Sequence, residues 1–359
     1  MTATGERGGS LGSGHPDLIR DLASVKEYQV AEDRKFFSAT HEEIAGGLTT
    51  DVYFVRTIEI LESLGRASAP VVAEVFTSRE GVMAGNEEAR NLLAGRGVVV
   101  EALPEGERFA DHEVVMRIAG PYRNFGLFET PLLGILASSS GWATAAVDCR
   151  EAAGEKPFIC FGARHLHPAV APVMERAAIA GGAAGASCIL AAKLAKVQPT
   201  GTIPHAAVLI AGDTLTVAET YDRIMPEDSP RVILVDTFHD EAEETLRVAR
   251  KLGRRLGGVR LDTPSERGGV TPQLVKEIRA RLDQEGYEHV KIFVSGGLDP
   301  DRIRLLSDAG ADAFGVGSYI SRARPIDMTL DLKVVDGRPI AKRGRIPGLT
   351  PTQRLRRMS

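Results

Sequence analysis

Apolar and polar positions follow two different patterns that meet near residue 120. Residues 68–120 read as strands in PVVAEVF, GVVVEAL and HEVVMRIAG, with turns at Ser78-Arg79-Glu80-Gly81 and Glu105-Gly106. A helical stretch over 86–94 interrupts them. Residues 127–148 have helical spacing and few charges, which predicts a long buried helix. From residue 157 short β-branched runs recur: PFICF (157–161), ASCIL (186–190), AAVLI (206–210), RVILVD (231–236), GVRLD (258–262), VKIFVS (290–295) and DAFGVG (312–317). Helical patterns lie between them at 168–180, 216–224, 240–256, 271–285 and 300–309. Nearly continuous apolar strands alternating with helices predict a parallel sheet covered by helices. Seven strands point to an α/β barrel, closed or incomplete, behind an N-terminal β-rich α+β domain; an open doubly wound sheet is the alternative. No G-x-G-x-x-G follows a first strand, which counts against a dinucleotide fold.

The expected organisation is a flexible Gly/Ser-rich tail over 1–24, a β-rich domain with its connecting helix over 25–150, the barrel over 151–330, and a hairpin with a basic tail over 331–359. That tail holds Lys342, Arg343, Arg345, Arg354, Arg356 and Arg357, and reads as a solvated basic segment or a phosphate-binding surface.

Composition narrows the class. With 43% hydrophobic and 26% charged residues the chain is neither disordered, collagen-like nor a membrane bundle. A net charge of -4 gives no global signature of nucleic-acid binding. The first 24 residues contain no apolar core for a signal peptide. The uncharged run over 177–192 falls short of the roughly 20 apolar residues a membrane span needs. Cys149, Cys160 and Cys188 cannot build a disulfide scaffold or a four-thiolate zinc site, so a reducing, cytoplasmic setting is expected.

In α/β barrels chemistry sits at the C-terminal ends of the strands. Here those ends supply Phe161 and Arg164, Asp236, Arg260 with Asp262, Ser295-Gly296-Gly297, and Gly315 with Gly317-Ser318. The two late glycine loops fit a phosphate, since backbone N–H groups can approach an anion there; tight turns without a ligand are the plain alternative. Asp236 and Asp262 suit water-rich Mg²⁺ binding, although each could instead cap a helix. Arg164 and Arg260 could hold an anion, or could pair with those same aspartates. His165 and His167 lack partners for a metal site. His205, in GTIPH (201–205), is expected to precede a strand, and a lone histidine is usually structural.

The motifs FETPLLGILASSSGWATAA, FGARHLHP, GTIPHA, VILVDTF, VRLDTPSERGG, SGGLD and FGVGSYIS, in that order, resemble nicotinate phosphoribosyltransferases of the shorter archaeal and bacterial type. LTTDVYF upstream and DGRPIAKRGRIPG downstream extend the resemblance over about residues 36–348. It implies a type II phosphoribosyltransferase that joins nicotinate to phosphoribosyl pyrophosphate with Mg²⁺, coupled to ATP through a phosphorylated histidine matched by His205. It further implies Arg164, Arg260 and Asp262 at the reaction centre, Phe161 stacked on the pyridine ring, and a homodimer. Thr50, Asp51 and Tyr53 would then enter the neighbouring subunit's site. Asp262-Thr263-Pro264 departs from the Asp-Ser-Gly of many members. The acid-free run over 181–185 is expected near the ring and would favour the acid over nicotinamide. A quinolinate-type enzyme, a flavin-binding barrel and a non-catalytic nucleotide-binding paralogue are the competing readings.

Overall fold

Two six-stranded sheets carry the fold in the computed structural model, which describes residues 18–358. The first sheet is antiparallel, in the order Arg338–Pro339, Met328–Val335, Pro70–Thr77, Val114–Pro121, Val99–Ala102, Arg356–Met358. At its centre Glu74 faces Arg117 in register, and Arg117 Nη2 donates to Glu74 Oε1 at 2.7 Å. Glu74 is buried, so this cation offsets a charge that would otherwise be costly to desolvate. Thr350 N–H donates to the same carboxylate and draws the C-terminal segment onto the sheet.

The second sheet is parallel, in the order Gly185–Ala186, Phe158–Cys160, Ala313–Val316, Lys291–Val294, Gly258–Leu261, Val232–Leu234. It is an incomplete barrel, open between its first and last strands. Residues 200–205 cross that opening. Thr200 N–H donates to Ala186 O at one edge, while Thr202 and His205 bond to Arg260 and Thr237 at the other.

The helix Glu129–Ala153 joins the two domains. Leu132 and Leu136 pack in the first core, and Trp142 to Ala153 contribute to the second. Gly141 allows this closeness, because a Cβ there would lie 2.4 Å from Arg324 O.

Five sequence expectations are corrected. AAVLI (206–210) is not a strand but lies in the helix His205–Ala211. An apolar run of five fits either state; Pro204 before it and Gly212 at φ 80° after it are helix boundaries. With that run lost, the barrel sheet has six strands rather than seven, and ASCIL contributes only Ala186, in the strand Gly185–Ala186, before the chain turns into the helix Ile189–Leu194. The expected tail over 1–24 lies outside the described residues up to 17, but beyond that Ile19 is buried and the helix Leu22–Glu27 is capped by Asp21. The basic C-terminus is solvent-exposed, as expected, but it is held on the first sheet rather than loose. Its Arg356–Met358 strand pairs with Val99–Ala102, Arg354 bridges Glu107 and Glu113, and Lys342 and Arg345 bridge Asp331. The boundary placed at 330 falls inside Met328–Val335, a strand of the first sheet.

Candidate active site

Arg260 is the centre of the arrangement at the barrel mouth. Val259 and Leu261 on either side are buried apolar, and strand alternation turns Arg260 to the opposite face. Its Nε donates to Ser295 Oγ at 2.8 Å, Nη1 to Thr202 Oγ1 at 2.7 Å and Nη2 to Asp262 Oδ2 at 3.0 Å. Ser295 donates in turn to Asp262 Oδ1 at 2.9 Å. Two adjacent strand ends and the bridging segment are thus tied to one guanidinium, whose planar fork fixes their spacing. The Arg260 pairing with Asp262 therefore forms, whereas Arg164 is exposed and makes no hydrogen bond or ion pair among the described residues.

Asp236 and Asp262 lie at the ends of adjacent strands and neither caps a helix. Asp236 Oδ2 accepts from Asp262 N–H at 2.7 Å. Its Oδ1 is buried without a partner among the described residues. Burial is the main cause that pushes the Asp236 carboxyl above the ordinary range, with the Asp262 N–H and the nearby His205 opposing it. His205 completes the group. Its Nδ1 is 3.0 Å from Thr237 Oγ1, and its Nε2 lies 3.9 Å from Asp236 Oδ1 and 3.8 Å from Asp262 Oδ2.

These residues meet the needs of a divalent cation in one respect: Asp236 Oδ1 is an orphaned buried acceptor, and Asp262 Oδ2 lies at a similar distance from the same His205 nitrogen. Among the described residues no cluster of three or more His, Cys, Asp or Glu side chains encloses a metal. The donor set therefore fits Mg²⁺ that keeps water and substrate oxygens in its shell, with Asp236 and Asp262 as its protein contacts.

Phe161 sits against Gly315, where a Cβ would approach its ring to 2.6 Å. It stacks on Phe293 with centroids 6.3 Å apart, and the Arg260 guanidinium lies 5.5 Å from its centroid. The ring is half-buried, which leaves surface for a flat ligand. Gly315 and Ser295, both expected at a phosphate, are thus engaged with Phe161 and with the Arg260–Asp262 pair. Gly297 and Ser318 do come together, lining a cavity of about 490 Å³ with Arg79, Asp148, Asp299 and Arg322. Gly296 and Gly297 hold φ of 92° and 62°, a backbone that favours glycine.

Gly317 is constrained differently. A Cβ there would lie 2.9 Å from Phe161 O and 3.0 Å from His165 Cε1. Gly317→Ala is therefore expected to destabilise the protein by about 1–3 kcal/mol through overpacking, in addition to any crowding of a bound phosphate. At Gly297 a Cβ would meet nothing within 4 Å, so Gly297→Ala carries only the backbone cost of about 1–2 kcal/mol. Thermal unfolding of the two variants checks this; a larger loss for Gly297→Ala would contradict it.

Thr50, Asp51 and Tyr53 are remote from these contacts. Asp51 and Thr130 exchange two hydrogen bonds, and Asp51 and Tyr53 border a separate cavity of about 270 Å³ with Glu129 and Asp327. Burial and the neighbouring Asp331 push the Glu129 carboxyl up to about 7. The run over 181–185 is also misplaced by the sequence reading. It precedes the Gly185–Ala186 strand, and Gly181 packs on Ala143 while Gly182 packs on Arg150, so its lack of an acid says nothing about the ring. The residue at the mouth end of that strand is Ser187.

Thr202 and Thr237 are site residues to which the sequence assigned no role. Thr202 lies three positions before His205 in the same motif, a spacing that was visible.

The chain matches the quinolinate phosphoribosyl transferase N-terminal domain over residues 51–140 and the C-terminal domain of the same family over 142–331. It belongs to this family of phosphoribosyltransferases. It is similar to a nicotinate phosphoribosyltransferase of Mycobacterium tuberculosis, with 34% identity over 248 residues that cover 66% of this chain and 52% of that protein. The chain thus spans about half the length of that relative. The crystal structure of a nicotinate-nucleotide pyrophosphorylase from Pyrococcus furiosus superposes with a TM-score of 0.83 at 46% identity, covering 88% of this chain and 82% of that one. Human nicotinic acid phosphoribosyltransferase, at 22% identity and a TM-score of 0.67 over 84% and 77% of the two chains, shares the fold. Among the described residues no helix is long and apolar enough to cross a membrane.

Proposed function

We propose that the protein transfers the phosphoribosyl group of phosphoribosyl pyrophosphate to the ring nitrogen of nicotinate, releasing pyrophosphate and forming nicotinate mononucleotide for NAD salvage. The observation that carries this reading is the junction at Arg260, where a fixed cation, two carboxylates and an aromatic face meet beside a glycine-lined cavity. The C1–oxygen bond breaks with its electron pair leaving on pyrophosphate, and the nitrogen lone pair forms the new bond to C1. Positive charge grows on the ribose as negative charge grows on the leaving group. Asp262 is placed to favour the former and Arg260 the latter. Asp236 and Asp262 would hold Mg²⁺, which would supply further neutralisation of pyrophosphate charge. Gly297 and Ser318, with Arg79 and Arg322, receive the 5′-phosphate. The exposed guanidinium of Arg164, three positions after Phe161, complements one carboxylate on the base.

ATP coupling through His205 belongs to the same proposal. The Nδ1 contact to Thr237 admits the tautomer in which Nδ1–H donates; in that tautomer Nε2 keeps its lone pair and can attack the terminal phosphorus of ATP, displacing ADP. A phosphoryl group there would face Asp236 and Asp262, so it requires the cation. His205→Ala is expected to retain basal transfer while losing stimulation by ATP, read by following product with and without ATP. Full stimulation in that variant contradicts the assignment.

The site is proposed to be shared between two copies of the chain. Tyr53 is 54% exposed, and Phe37 near it in sequence is 96% exposed. Around the barrel opening Ile210 is 88% exposed, and Ile189, Leu190 and Leu209 also face solvent. These two apolar surfaces are suited to cover one another in a two-fold assembly. A quinolinate-type reaction is the second reading, favoured by the matching family domains; product analysis with each base separates the two.

A further inference from the structure

Glu175 lies in the helix Ala171–Ala180, behind the site, and its exposure is 0%. Its Oε1 accepts from Ala163 N–H at 2.9 Å and from Ser187 Oγ at 3.2 Å, and its Oε2 accepts from Cys188 N–H at 2.7 Å. These partners belong to two different strand-end loops. Ala163 adjoins Arg164 in the loop that follows Phe161. Ser187 and Cys188 end the Gly185–Ala186 edge strand, and Ser187 N–H donates to Cys160 O at 3.1 Å, beside Phe161. The edge strand is only two residues long, so its ladder does little to fix the loop beyond it.

We propose that Glu175 is a positioning residue that clasps these two loops together and so sets the width of the pocket for the pyridine base. The assignment of that pocket to the base rests on the function proposed above; the clasp itself does not. Both oxygens receive a backbone N–H. A carboxylate can satisfy both, whereas an amide can satisfy one and turns its NH₂ toward the other donor. Glu175→Gln therefore keeps the shape and opens one side of the clasp. Apolar packing of the helix through Met174, Ala177 and Ala178 is left in place.

Amide hydrogen exchange measured on the full chain tests the clasp without reference to catalysis. In Glu175→Gln, peptides covering 161–168 or 186–195 should exchange about 10–100-fold faster, as expected for a lost hydrogen bond to a charged group. Peptides covering 262–269 should be unchanged. Kinetics then test its purpose: kcat/KM for the base should fall by a similar factor while KM for phosphoribosyl pyrophosphate moves less than about threefold. Unchanged exchange in both loops would overturn the clasp, and a parallel rise in both KM values would overturn its role in the base pocket. Should Glu175→Gln fail to fold, Ser187→Ala removes only one of the three bonds and should speed exchange over 186–195 alone; no change there overturns the proposal. If the wild-type chain transfers phosphoribose to no pyridine acid, the function reading fails, and the exchange measurement still decides the clasp.

Discussion

Arg260→Ala is expected to lower kcat/KM for phosphoribosyl transfer by about 10³-fold or more. The arginine donates to Thr202, Ser295 and Asp262 at once and lies against Phe161. Its removal leaves the Asp262 carboxylate without its cation in a partly buried site, a change that costs about 3–5 kcal/mol in comparable pairs. It also frees Thr202, and with it the segment that carries His205 across the barrel opening. Arg260→Lys keeps the charge as a point but cannot reproduce three divergent donors, so a loss of about 10²-fold is expected. Steady-state kinetics with unfolding temperatures check both. A loss below tenfold in a folded Arg260→Ala protein would remove Arg260 from the reaction centre.

Mixing two inactive variants should restore activity. Tyr53→Ala is expected to lose about 10²-fold, from the stacking and burial of one aromatic ring. Tyr53 is exposed and its neighbours Asp51 and Thr130 bond to each other, so it contacts none of the Arg260 group within its own chain. If it completes the partner's pocket, each dimer of one Tyr53→Ala and one Arg260→Ala chain holds one site with both native residues. Random exchange of equal amounts then returns about a quarter of wild-type activity. Native mass spectrometry verifies the exchange; mixed dimers with no recovered activity would contradict the shared site.

The barrel was legible because its strands are buried on both faces and read as continuous apolar runs. Five of the seven expected runs, ending at Phe161, Asp236, Asp262, Ser295 and Gly317, hold strands of the sheet with their full pattern. The two failures, at 186–190 and 206–210, lie beside the barrel opening. There no neighbouring strand is available on one side, and the chain forms short helices whose apolar residues point outward: Ile189, Leu190 and Ile210 are all exposed. Hydrophobicity kept for a surface looks the same in sequence as hydrophobicity kept for a core. The adjacency of Asp236 and Asp262 was legible from the order of the strands. The engagement of Ser295 with Arg260, and of Gly315 with Phe161, was not, because it depends on which strands are neighbours: Ala313–Val316 pairs with Phe158–Cys160, more than 150 positions earlier. Glu175 was equally hidden, since an acid in the middle of an apolar helix pattern carries no mark of the two loops it bonds. The exposure of the C-terminal arginines was legible, but their pairing was not, because their partners Glu107, Glu113 and Asp331 lie elsewhere in the sequence.

The identity of the product decides which reaction the protein performs. The purified chain is incubated with phosphoribosyl pyrophosphate and Mg²⁺, with and without ATP, and with nicotinate, nicotinamide or quinolinate in separate reactions read by mass spectrometry. Nicotinate mononucleotide and pyrophosphate are expected from nicotinate, faster with ATP, with less product from the other two bases. Product from quinolinate with loss of carbon dioxide, and none from nicotinate, would contradict the proposed reaction.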